Sequence, residues 1–182
     1  MQHSKKIPHS CPGGLYHVMM RGNGGEDIFF EDDDRYHFYL FAQQGLERFG
    51  HRIHGFCCMT NHDHLVVQVG DIPLSKIIQN LSFRYTRWIN QRNKRIGHLF
   101  QGRYKALLID ADSYLLELVR YIHLNPCRAG MVKDPIQYPW SCIAYVYAIA
   151  KGPVEIISVF TALYPILTVS LAYFFLHEHY QC

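Results

Sequence analysis

Two hydrophobic rhythms take turns along the chain, one of period two and one near 3.6 residues. Leu15 to Arg21 is short, with aromatic and β-branched residues, and Gly22-Asn23-Gly24-Gly25 closes it, which predicts a strand and a turn. Asp32, Asp33 and Asp34 then offer first-turn carboxylates to a helix whose apolar positions Phe38, Phe41, Ala42 and Phe49 follow helical spacing, with Gly50 as its stop. His51 to Met59, rich in Ile, Phe and Cys, turns back at Thr60-Asn61 into the run from His62 to Val69, an antiparallel hairpin. Asp71-Ile72-Pro73 opens a second helix with a full apolar stripe, Leu74, Ile77, Ile78, Leu81, Tyr85, Trp88 and Ile89. Tyr104 to Ile109 predicts another strand. Asp112 or Ser113 caps a last helix with Leu115, Leu118, Val119 and Ile122 on its core side, ending near Asn125-Pro126 because proline disfavours a helical predecessor. The order β-α-β-β-α-β-α predicts an α+β fold, a ferredoxin-like antiparallel sheet with helices packed on one face.

Composition adds a boundary and a compartment. With 182 residues, 49% of them apolar, the chain can bury a core and is not a disordered one. Residues 1–13 read as a loose lead-in, 14–145 as the principal domain and 146–182 as a helical tail. From Ile156 to Leu176 no residue is formally charged, the length of a membrane span, but Pro165 interrupts the run and Ser158, Thr161, Thr168 and Ser170 dilute it. We therefore expect two short apolar helices folding back, and no membrane partner. Six cysteines without a Cys-x-x-Cys pair or a regular framework place the chain in a reducing cytoplasm.

The net charge of +3 hides a division. Between Lys76 and Lys105 lie eight of the eighteen basic residues and no acid, so the remainder sets ten basic against fifteen acidic residues. A basic helix and loop with interleaved aromatics suits a nucleic-acid backbone. Its candidate DNA contacts are Lys76, Arg84, Arg87, Arg92, Arg95, Arg103 and Lys105. Tyr85 and Trp88 fall on the apolar stripe and are expected in the core.

Candidate chemistry concentrates at Asn61-His62-Asp63-His64. On a strand, His62 and His64 project to the same face, close enough to share one metal ion. A His-x-His pair can equally well hydrogen-bond to its neighbours. On the last helix Glu117, Tyr121 and Asn125 follow at i, i+4 and i+8, each step advancing only about 40° around the axis, so they share one flank beside the apolar stripe. By spacing alone Tyr121 is as well a packing tyrosine at the edge of a core.

Several stretches together carry a resemblance: Thr60 to Val67 (Thr-Asn-His-Asp-His-Leu-Val-Val), Arg84 to Asn90, Gly97 to Lys105, and Tyr114 to Pro126 (Tyr-Leu-Leu-Glu-Leu-Val-Arg-Tyr-Ile-His-Leu-Asn-Pro). In this order, and from about Gly14 to Ser141, the chain resembles the single-tyrosine transposases of the HUH superfamily, and among them the REP-associated tyrosine transposases. The resemblance implies that His62, His64 and Asn125 hold a divalent ion, Mg²⁺ or Mn²⁺, and that Tyr121 is the nucleophile that forms a 5′-phosphotyrosine. It also implies a substrate of single-stranded, hairpin-forming DNA, either palindromic repeats or element ends, a nucleoid-associated location in the cytoplasm, and work as a monomer or a homodimer. Tyrosine ionises near pH 10, so its proton must go somewhere, and Glu117, one turn before it, is the candidate acceptor.

Three features depart from the superfamily: the uncharged C-terminal tail, where charged helices are expected; Cys127 after the Asn-Pro pair, expected as a small packing residue; and the residue between the histidines. The residue between the histidines is usually bulky and apolar, and here it is Asp63, facing the opposite side of the strand. An unpaired carboxylate in a sealed core costs several kcal/mol, which predicts partial exposure or a basic partner. Two rival readings keep the site residues with another outcome: a domesticated DNA-binding protein without turnover, and a metal phosphohydrolase in which water attacks and Tyr121 is structural.

Overall fold

Strands form where the short alternating runs predict them. The computed structural model describes residues 11–109 and 115–142. Its elements run β1 (Leu15–Arg21), α1 (Asp32–Phe49), β2 (Arg52–Cys58), β3 (His62–Gln68), α2 (Leu74–Arg92), β4 (Lys105–Ile109) and α3 (Leu115–Arg128), with 3-10 turns at Asn23–Gly25 and Pro135–Gln137. The sheet is antiparallel in the order β2-β3-β1-β4, the ferredoxin-like order for this connectivity.

Alternation divides the strands between two interiors. Tyr16, Val18 and Met20 of β1 and Leu65 and Val67 of β3 point to one face, where α1 and α2 bring Phe38, Ala42, Leu74, Ile77, Ile78, Leu81, Tyr85 and Ile89. Each fully buried Leu, Ile or Phe there contributes about 1.5–3 kcal/mol. Tyr85 satisfies its buried hydroxyl by donating to the Ile28 carbonyl at 2.6 Å. α1 starts from a capping box: the Asp34 carboxylate accepts from the N–H of Glu31 at 2.8 Å, and Glu31 caps in return. It ends at Gly50, whose φ of 62° is the left-handed conformation that glycine adopts without strain.

The expectation of helices on one face holds for α1 and α2 and fails for α3. Leu118 and Ile122 pack on the opposite face with Leu15, Cys57, Met59, Val66 and Ile109, a smaller core closed by Tyr138. A Cβ placed on Gly55 of β2 would lie 3.8 Å from Val119 Cγ2, so the helix crosses close over this strand. The physical reason is that β1, β2, β3 and β4 carry apolar residues on this face too, and one uncovered would be a large exposed patch. α3 also runs past the expected stop at Asn125-Pro126. Pro126 sits inside the helix, where it forgoes one N–H bond in the last turn, and the turn still closes through Ala129 N–H to Asn125 O and Met131 N–H to Pro126 O, both 2.9 Å.

The expected cap at Asp112 or Ser113, residues 1–10 of the lead-in and the apolar tail lie outside the described residues. Among the described residues no helix is long and apolar enough to cross a membrane.

Candidate active site

β3 begins with His62 and carries both histidines to the α3 side of the sheet, their rings perpendicular with centroids 5.0 Å apart. His62 is half-buried and its Nδ1 lies 2.7 Å from Asn61 Oδ1. Asn61 in turn donates from Nδ2 to the Gly25 carbonyl at 3.2 Å, which leaves Oδ1 as an acceptor and gives the Nδ1 of His62 the proton. The Nε2 of His62 then keeps its lone pair. His64 is buried at 3% exposure, and its Nδ1 lies 2.9 Å from Nε2 of His17 on β1.

Burial holds this cluster neutral. It lowers His17; it lowers His62, with help from the Arg21 charge; and it lowers His64 to about 3, with His17 and His62 adding to the effect. Neutral imidazoles are the form that binds a cation. Among the described residues no three His, Cys, Asp or Glu side chains gather into a metal cage. One turn beyond Tyr121 on α3, the Nδ2 end of Asn125 is buried without a hydrogen-bond partner among the described residues. Turned about its last bond, the same amide would present Oδ1 at that place, so the donor set fits a divalent ion that keeps further positions open.

The anchoring of α3 by Leu118 and Ile122 aims its next flank at the histidines. Tyr121 is 43% exposed and stands edge-on to His64 of the same chain, centroids 6.1 Å apart. Arg128 lies over its ring, Cζ 5.0 Å from the centroid. Glu117, one turn earlier, is exposed, and its side chain makes no hydrogen bond to a described residue. His123 faces away, buried against Cys142 Sγ.

Asp63 meets neither expected condition. It is fully buried and finds no basic partner among the described residues; its Oδ1 accepts the Met20 N–H at 3.0 Å and its Oδ2 has no partner. The carboxyl instead escapes its charge: burial pushes its pKa up to about 8, against the partial pull of the backbone bonds.

The basic stretch separates into two groups. Arg84 donates to Gln44 and covers Phe41; Arg92 pairs with Glu31, Asp33 and Asp34 at 2.5, 3.1 and 2.6 Å; Arg95 pairs with Glu26 at 3.0 Å. These three fasten α2 and its following loop to α1 and the segment before it. Lys76, Arg87, Arg103 and Lys105 are exposed, and none has an ion-pair partner among the described residues. Tyr85 is in the core as expected, and Trp88 stacks on His37 at 4.1 Å. Spacing alone does not single out His17 or Arg128. Period two on β1 places His17 with Leu15 and Met19, but which residue of β3 it meets depends on a register that only the paired strands define.

The family model described as "Transposase IS200 like" matches residues 12–125. Among solved structures, this chain is similar to a REP-associated tyrosine transposase bound to a REP hairpin, at 17% identity over 84% of this chain and 90% of that one, with a TM-score of 0.69. A looser likeness, TM-score 0.45 and 12% identity over 67% of this chain and 95% of the other, is to a structure described as a candidate transposase from Deinococcus radiodurans R1. Nothing matches among curated proteins.

Proposed function

The chain belongs to the IS200-like transposase family, and on that premise we propose that it nicks and rejoins single-stranded, hairpin-forming DNA through a covalent bond to Tyr121. The observation that carries the reading is the meeting of Tyr121 and His64 from distant parts of one chain, ring edge to ring face. In this reading the site is complete in cis.

Tyr121 Oη attacks phosphorus in line, the new P–Oη bond forms as the P–O3′ bond breaks, and the departing 3′ oxygen takes up a proton to become a hydroxyl. The DNA's 5′ phosphate stays on the enzyme. Because one phosphodiester replaces another, a 3′-hydroxyl attacking the link restores the DNA strand without an energy cofactor. His62, His64 and Asn125 would hold Mg²⁺ or Mn²⁺, which when bound supplies Lewis-acid polarisation of the scissile phosphate. Glu117, exposed on the same flank of α3, takes the phenol proton from Tyr121.

For DNA contact we retain Lys76, Arg87, Arg103 and Lys105 from the basic stretch. Lys105 pairs with Met19, which pairs with His64, so it lies two strands from the histidine on the same face, about 10 Å away at ordinary strand spacing. That separation suits a phosphate flanking the cleaved one. Arg84, Arg92 and Arg95 serve the fold in this reading.

The test is incubation of the full chain with 5′- and 3′-labelled single-stranded hairpins and Mg²⁺ or Mn²⁺, followed by denaturing electrophoresis and peptide mapping. A covalent adduct at Tyr121 carrying the DNA's 5′ phosphate, absent with chelator, is the expected result. Cleavage without an adduct would establish the hydrolase instead, and binding without cleavage in either metal would establish the domesticated binder.

A further inference from the structure

The two histidines are braced differently. His62 has its tautomer set by Asn61, which the Gly25 carbonyl pins in turn. His64 has only another imidazole: its Nδ1 meets His17 Nε2 at 2.9 Å, with the two rings nearly parallel at 19° and centroids 5.2 Å apart. Met19 is directly opposite His64 in the ladder, so His17 is its diagonal neighbour on the same face.

Two neutral rings joined nitrogen to nitrogen share one proton, and there are two ways to place it. With the proton on His17 Nε2, His64 accepts at Nδ1 and its own proton sits on Nε2, which blocks that nitrogen as a ligand. With the proton on His64 Nδ1, the Nε2 lone pair of His64 is free and His17 is the acceptor. Only the second arrangement leaves both histidines of β3 able to hold one cation through Nε2. Ligating histidines are commonly oriented by such an outer partner, whose loss weakens the metal site.

We propose that His17 is a positioning residue for His64: it accepts the Nδ1 hydrogen bond and thereby keeps Nε2 of His64 open toward the cation. The inference rests on the metal role given above to His62 and His64. His17 itself touches neither the cation nor the DNA in this account. Its contribution is to choose the tautomer and hold the plane of the ring.

Mn²⁺ binding to the full chain without DNA, followed by electron paramagnetic resonance of the free ion, tests this apart from turnover. His17→Phe keeps a flat ring and removes the acceptor; His17→Gln places an amide oxygen near the lost Nε2; His64→Ala is the reference, and thermal melts report folding of each. We expect His64→Ala to abolish specific binding, His17→Phe to weaken it by roughly 10–100-fold, and His17→Gln to recover it to within a few fold of the parent. Folded His17→Phe that binds Mn²⁺ like the parent would overturn the inference, as would a His17→Gln variant no better than His17→Phe, since packing alone would then explain the loss. If His64→Ala binds Mn²⁺ undiminished, the metal reading of the site itself fails and this inference goes with it.

Discussion

The two faces of the sheet are built from the same strands and hold different kinds of interior. On the α1/α2 side, Phe29, Phe38 and Tyr85 meet edge to face or tilted at 5.1–5.5 Å above Tyr16, Val18, Leu65 and Val67. That side is sealed. On the α3 side a smaller apolar core secures one helix, and beside it stand two half-buried imidazoles, the buried ring of His64 and an exposed tyrosine. One layer packs the larger apolar core while the other sets the imidazoles beside a smaller one. β3 serves both by alternation, and its Asp63 belongs chemically to the second layer but stands in the first.

Substitutions on each side should therefore separate activity from stability. The largest effect is Tyr121→Phe: strand cleavage should fall at least about 10⁴-fold, the loss of a covalent nucleophile, with the melting temperature unchanged because the side chain is exposed. Gel assays and thermal melts on the same preparation check both halves. Next is Phe38→Ala in the sealed layer, which should remove about 3–5 kcal/mol of stability in urea titrations while cleavage per folded molecule stays at the parent value. Equal loss of activity would mean that the two layers are coupled.

Asp63→Asn sharpens the contrast through pH. The folded-state pKa, raised to about 8 from the ordinary 3.8, means that the native protein binds more protons than the unfolded chain between those values. Stability from this group is thus present at low pH and lost as pH rises through the window. The asparagine variant keeps an oxygen for the Met20 N–H and has no charge to bury, so its stability relative to the parent should rise by about 4 kcal/mol between pH 5 and pH 9, most of it gained below pH 8. A constant difference between the two pH values would sink the idea. The smallest effect expected is Tyr85→Phe, about 1 kcal/mol in the same urea assay, for the hydrogen bond to Ile28 O.

Much of this division was legible in the residues. The β1 and β3 runs, the α2 stripe and the Gly50 stop all follow from local pattern, and period two alone puts His62 and His64 together. The flank shared by Tyr121 and Asn125 follows from helical spacing. What local pattern could not supply was long-range. α3 went to the opposite face because both sides of these strands are apolar, and a stripe does not say which of two apolar faces it covers. Arg92 reads as a DNA contact until it is seen beside Glu31 and Asp34, some sixty residues earlier in the chain. Asp63 defeated both expectations because a carboxyl has a third option, to keep its proton.

Thr60 O accepts from the N–H groups of Ile28 and Phe29, and Asn61 O from Gly22, so the turn before β3 is tied to its surroundings by three backbone bonds. A deletion or insertion of one residue there would shift β3 by one pleat, driving both imidazoles into the aromatic layer and bringing Leu65 out to meet Tyr121. The Met59–Asn61 turn should therefore be inherited at fixed length in descendants of this chain even where its side chains drift.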